Sequence, residues 1–246
     1  MRVRTLLIVG VAVAALALLG TAGTVLAFPF GAAAACPACY GLEPIGDNIY
    51  IERTASDAQR RRVMAVLAQA RDRVAAFYGK LDTRPRILVC VSDECYQRIR
   101  SAGARGNTFL DLALELSLRG IDPVIAAHEL SHIELHHRLG WIRHVIGAIP
   151  AWFDEGVAVV VSDDRRYLAP PGSAQRCRVR SDEPLPTGAL EWQREMGEYD
   201  TRQLYAKSAC RVADWMAAKG GATAVLQLIE RVAHGTPFAE AYSGGS

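Results

Sequence analysis

Between residues 57 and 78, Val63, Val66, Leu67, Ala70, Val74 and Phe77 return every three or four positions, which predicts a helix over Asp57–Tyr78. Ser56 stands where a capping side chain is needed, and Gly79 closes the segment. Shorter runs read as strands. Residues 48–53 are extended, 86–91 are continuously apolar, and 112–118 alternate between turn residues. A short helix over 93–100 and a turn-rich loop over 103–107 separate the last two. Two further helices follow, Pro123–Leu139 and Ala151–Ser162, split by a loop around 140–150. Residues 163–186 have no period and hold four prolines, as a surface loop does. Helical spacing returns over 202–219 and 222–233, joined by Gly220 and Gly221. Strands with a helix first and helices afterwards predict an α+β fold, a small mixed sheet followed by a helical core.

Ahead of these elements lies a stretch of another kind. Residues 5–35 carry no charge, and 6–30 are apolar over about the length that crosses a bilayer core as a helix. Arg2 and Arg4 precede it, the arrangement that keeps the N-terminus cytoplasmic and sends the rest across. We read residues 1–35 as a signal peptide or N-terminal membrane anchor and 36–246 as a single domain. Cleavage after the small residues Ala32–Ala35 and retention as an anchor both fit. Lipid attachment at Cys36 is a third option, disfavoured by Ala33 where such signals carry Leu.

Composition narrows the function classes. Half of the 246 residues are hydrophobic and 22% are charged, which excludes a disordered chain. Without Arg2 and Arg4, 26 of the 28 basic residues face 26 acidic ones, so the domain is neutral and has no basic footprint for nucleic acid. All six cysteines follow the leader, and an even number in an exported chain predicts disulfides in an oxidising compartment, periplasmic or cell-surface. Proximity along the chain pairs Cys36 with Cys39, Cys90 with Cys95 and Cys177 with Cys210. Cys36-Pro-Ala-Cys39 also fits a thiol redox pair, which requires a strand before it and a helix opening at it.

His128-Glu129-Leu130-Ser131-His132 is the strongest chemical signal. Two histidines four apart on a helix share nearly one face, so both imidazoles reach one ion, and Glu129 lies beside the open coordination position. A catalytic metal of this kind needs a third protein ligand. His136 is two turns from His128, and one ion cannot span about 12 Å of helix, so it is a neighbour. The metzincin pattern fails, because Leu135 and Arg138 stand where its glycine and third histidine belong. Glu155 remains, at the start of the next helix, after a Pro/Gly loop that reverses the chain. No G-x-S-x-G and no P-loop is present.

His128–His132 followed by Trp152-Phe-Asp-Glu155-Gly-Val-Ala158 resembles the gluzincin metallopeptidases, in particular the peptidase MA-like group with its W-x-x-E-G-x-A helix. The resemblance covers about residues 86–219. It implies zinc bound by His128, His132 and Glu155, with Glu129 as general base for peptide hydrolysis. It also implies a peptide or protein substrate, held by the free edge of the strand at 113–118. Tyr205 matches a tyrosine often seen in the family at the oxyanion; His234 is the weaker candidate. Some gluzincins place a carboxylate three or four residues after the third ligand, and this chain has Ala158 and Val159 there. Asp154 or Ser162 is then the candidate to orient a ligand histidine. Two other readings remain: a zinc-binding non-peptidase hydrolase or silent binding module of the same fold, and a redox protein using Cys36 and Cys39.

Overall fold

Five short strands pair in the order β1-β2-β3-β5-β4 in the computed structural model, which describes residues 29–99, 104–173, 175–197, 200 and 202–244. They are β1 (Leu42–Gly46), β2 (Ile49–Glu52), β3 (Arg86–Val89), β4 (Gly106–Phe109) and β5 (Ala113–Leu116). The sheet is mixed. β2, β3 and β5 run parallel, while β1 and β4 pair antiparallel at the two edges. Most of the predicted apolar segment, residues 1–28, lies outside the described residues, as do 100–103. Among the described residues no helix is long and apolar enough to cross a membrane.

The continuous apolar run at β3 reflects burial on both faces. Ile87 and Val89, with Leu114 and Leu116, enter the main core beneath the long helices. Leu88 and Ala113 enter a second, smaller core. That second core is covered by α1 (Pro29–Ala35) and α3 (Asp93–Ile99), which bring Phe30, Ala33, Tyr96 and Ile99. The last seven residues of the predicted leader therefore pack on the sheet, and Phe30 meets Phe109 edge-on at 6.2 Å.

On the main face lies α2 (Asp57–Tyr78), capped as expected by Ser56, whose side chain accepts from Gln59 N–H. Next to it runs α4 (Pro123–Leu139). Asp122 accepts from the N–H groups of Val124 and Ile125, and Pro123 occupies the first turn, where no N–H is required. α4 is buried almost all round, between α2, the sheet and α6 (Ala151–Ser162). The short α5 (Trp141–Val145) fills part of the predicted loop between them. The chain ends in α7 (Ala189–Met196), α8 (Leu204–Lys219), α9 (Ala222–Ala233) and α10 (Phe238–Ser243).

All three cysteine pairs lie at bonding distance in the expected pairings, with Cα separations of 5.4, 5.5 and 4.8 Å for Cys36–Cys39, Cys90–Cys95 and Cys177–Cys210. They fit an oxidising environment. Cys36 follows helix α1, and a strand, β1, comes after Cys39. The strand-then-helix setting of a redox pair is absent there.

The expected peptide-binding edge needs correction. β5 is hydrogen-bonded to β3 on one side and to β4 on the other, so it has no free edge. The edge belongs to β4, in a segment whose start the sequence reads as turn. Four residues opening on Gly106 are too few to show an alternating pattern.

α6 and α8 approach most closely at Gly156, where an added Cβ would lie 2.6 Å from the backbone oxygen of Ser208. Overpacking of this kind costs about 1–3 kcal/mol, against a helix-propensity gain of at most about 1 kcal/mol for Ala over Gly. Gly156→Ala is expected to lower the denaturation midpoint. Because α6 carries Glu155 and α8 carries Tyr205, the variant should also lose activity.

Candidate metal centre

α4 and α6 pack so that His128 and His132 of α4 face Asp154 and Glu155 of α6. His128 and His132 point toward Glu155 because four residues advance a helix by one turn and return nearly to the same face. His132 Nε2 lies 3.1 Å from His128 Nε2, His128 Nε2 lies 3.2 Å from Glu155 Oε2, and His132 Nε2 lies 3.5 Å from Glu155 Oε2. Ligand atoms about 2.0–2.1 Å from a tetrahedral ion stand roughly 3.3 Å apart. The triangle of donors already has that size, so two imidazoles and a carboxylate fit one small divalent cation. The three sit in the wall of a cleft of about 470 Å³.

Asp154 supplies the orienting carboxylate. Its Oδ1 accepts from His132 Nδ1–H at 2.7 Å, which leaves Nε2 unprotonated toward Glu155 when the ring is neutral. Its Oδ2 accepts from His136 Nε2–H at 2.8 Å. His136, His132 and Asp154 also lie close enough together to be a group of metal-ligand type, but His132 turns a different nitrogen toward each cluster. Asp154 is therefore a link between two histidines. Ser162 is buried and donates to Val159 O within its own helix, so it does not orient a ligand.

Charge and burial act against each other here. Burial alone would push the Glu155 carboxyl up, but the charge of His132 and hydrogen bonds from both histidines hold it down to about 2. Burial raises Asp154 in the same way, and the charges of His132 and His136 outweigh it and keep it well below the usual carboxylate range. Burial lowers His132, yet Asp154 and Glu155 together raise it well above 6.5. In the metal-free protein the stabilisation from that imidazolium is fully present below pH 6.5 and is lost as the pH rises through the raised value. A metal must displace this proton. Zinc uptake at pH 7 is therefore expected to release about one proton per ion, and affinity should fall as the pH is lowered. Calorimetry in two buffers of different ionisation enthalpy reads the number released.

Compared with protein-family models, with curated proteins and with solved structures, the chain matches none.

Glu129 lines the cleft and is 8% exposed. It faces Gly106 on the edge strand so closely that a Cβ there would lie 2.7 Å from Glu129 Cγ. Tyr205 stands on the opposite side, its ring 5.9 Å from that of His128 and 5.4 Å from that of Trp192. The negative charge of Glu155, then burial, then Glu129, push the Tyr205 hydroxyl well above 10. It stays protonated and can donate. Two other histidines lie apart from the donor triangle. His137 Nδ1–H donates to Asp111 at 2.9 Å, and His234 Nδ1–H donates to Glu230 O at 2.8 Å.

Sequence reasoning missed three parts of this cleft. Gly106 lies in a segment that reads as a turn-rich loop, and α7, which brings Trp192 to the cleft wall, falls in residues 187–201, where no element is predicted. The third is His144, whose ring centre lies 3.7 Å from that of His136 with the planes tilted by 33°, and which burial pushes down to about 4. The spacing of Trp192 and Met196, four apart, was the available sign for α7.

Proposed function

We propose that the protein is a zinc-dependent endopeptidase of gluzincin type, acting in the periplasm or at the cell surface. The observation that carries this reading is the convergence of His128, His132 and Glu155 on a site of zinc dimensions, with Glu129 in the same cleft. Two imidazoles and one carboxylate are a donor set zinc favours. When bound, zinc supplies a Lewis acid and a water acidified to near neutrality.

The chain's own groups would do the rest. The Glu129 carboxylate accepts a proton from water and passes it to the departing amine nitrogen. Tyr205, protonated across the neutral range, donates a hydrogen bond to the oxygen on which negative charge develops. β4 offers its unpaired edge to an extended peptide, and backbone pairing there favours an unfolded substrate over a small molecule. Asp154 keeps the His132 ring in the tautomer that presents Nε2. The three disulfides support export, and the apolar residues ahead of Pro29 would tether the domain to the membrane when retained.

Elemental analysis of dialysed protein, paired with hydrolysis of an unstructured protein substrate, tests the reading. One zinc per chain with cleavage is the expected result. One zinc per chain without cleavage of any member of a broad peptide library would favour a binding module on the same fold, and the absence of zinc would overturn the centre.

A further inference from the structure

One end of the molecule carries most of its exposed large apolar side chains. On α5 and the residue after it, Trp141, Ile142, Val145 and Ile146 are 66%, 57%, 63% and 65% exposed. Leu112, in the turn between β4 and β5, is 58% exposed. A run of this kind on a soluble surface marks a contact site.

The turn and α5 flank the same last turn of α4. His136 Nδ1–H donates to Leu110 O at 3.2 Å, His137 pairs with Asp111, and the His136 ring lies against that of His144 of α5. Phe109, beside this turn, receives Phe30 of α1. The point where the apolar N-terminal sequence joins the described structure, Pro29, is therefore at the end of the molecule that carries the patch. Residues 6–28, ahead of that point, have the length and composition to enter a bilayer.

We propose that α5 and the β4–β5 turn form a surface that docks on a lipid bilayer, sinking the apolar side chains into the headgroup–acyl boundary. Continuity with the apolar residues 6–28 favours lipid over a second copy of the chain as the occupant. The side chains are of the right kind: Trp prefers this boundary, with Ile and Val at its side and Arg143 in the same helix. His144 and Gly147 belong to both α5's surroundings and the cleft wall, so docking would hold the mouth of the cleft close to the bilayer. On the peptidase reading, its substrates would be peptide segments next to the membrane.

Contact with lipid requires neither metal nor hydrolysis, so its failure and that of the peptidase reading are separable. Trp152 and Trp192 are buried and Trp215 is half-buried, so Trp141 is the one strongly exposed of the four tryptophans. The full chain is reconstituted into phosphatidylcholine/phosphatidylglycerol vesicles with bromine on the upper acyl carbons, at the depth of about 5–10 Å that such faces reach. Trp141 emission, taken as the difference between the protein and its Trp141→Phe variant, is expected to fall by more than about half at that depth. Val145→Asp with Ile146→Asp should restore it while far-ultraviolet circular dichroism stays unchanged. Unquenched Trp141 emission from chains that still float with the vesicles would overturn the proposal, whether the patch then faces water or a second copy.

Discussion

Glu129→Ala is expected to keep one zinc per chain and an unchanged melting temperature while kcat falls by about 10³-fold or more, a loss within the span of general acid–base catalysis. The separation follows from geometry. Glu129 is not one of the three convergent donors, and its side chain borders an open cleft, so removing it creates no sealed cavity. It serves twice in the proposed reaction, taking a proton from water and delivering one to the amine, so its loss removes both steps. Gly106→Ala offers an independent check, since its new Cβ would crowd the Glu129 side chain without changing any ligand. A large loss of kcat with zinc retained is expected there too. Stopped-flow hydrolysis beside elemental analysis reads both variants, and unchanged turnover in Glu129→Ala would remove the carboxylate from the mechanism.

His132→Ala and Glu155→Ala are each expected to abolish zinc at equimolar metal. Either change leaves two protein donors where a catalytic zinc takes three. Asp154→Asn should be milder, with affinity lowered by about 10–100-fold, because the ring of His132 remains but its tautomer and orientation are no longer imposed. The metal-free proteins carry a second readout. The Glu155 carboxyl, held at about 2 against its ordinary 4.5, contributes stability that is complete above pH 4.5 and is lost as the pH falls toward 2. Its size is on the order of 3 kcal/mol, and denaturant midpoints of the metal-free protein and Glu155→Ala should converge as the pH drops through that window. Full zinc occupancy in Glu155→Ala would take Glu155 out of the site and return His136 to consideration.

Local pattern was enough for the long elements. Asp57–Tyr78, Pro123–Leu139 and Ala151–Ser162 were legible to the residue, because each repeats its apolar positions over three or more turns and carries its own stop signals. The candidate donors were legible for the same reason: i and i+4 on a helix are neighbours whatever the rest of the chain does. The domain's neutrality and its even cysteine count needed no structure.

The short elements were decided elsewhere. β4, four residues long, exists because β5 has a free side to pair with, and neither it nor α5 has enough turns to show a period. Which strand is the sheet edge depends on order across the sheet, a relation between residues more than 50 apart in the case of β2 and β5, and periodicity carries none of it. Asp154 and Ser162 both stood within one helix as possible partners for a ligand histidine. Only the crossing of α4 and α6, set by side-chain packing, turns Asp154 toward His132 and leaves Ser162 bonded to its own backbone.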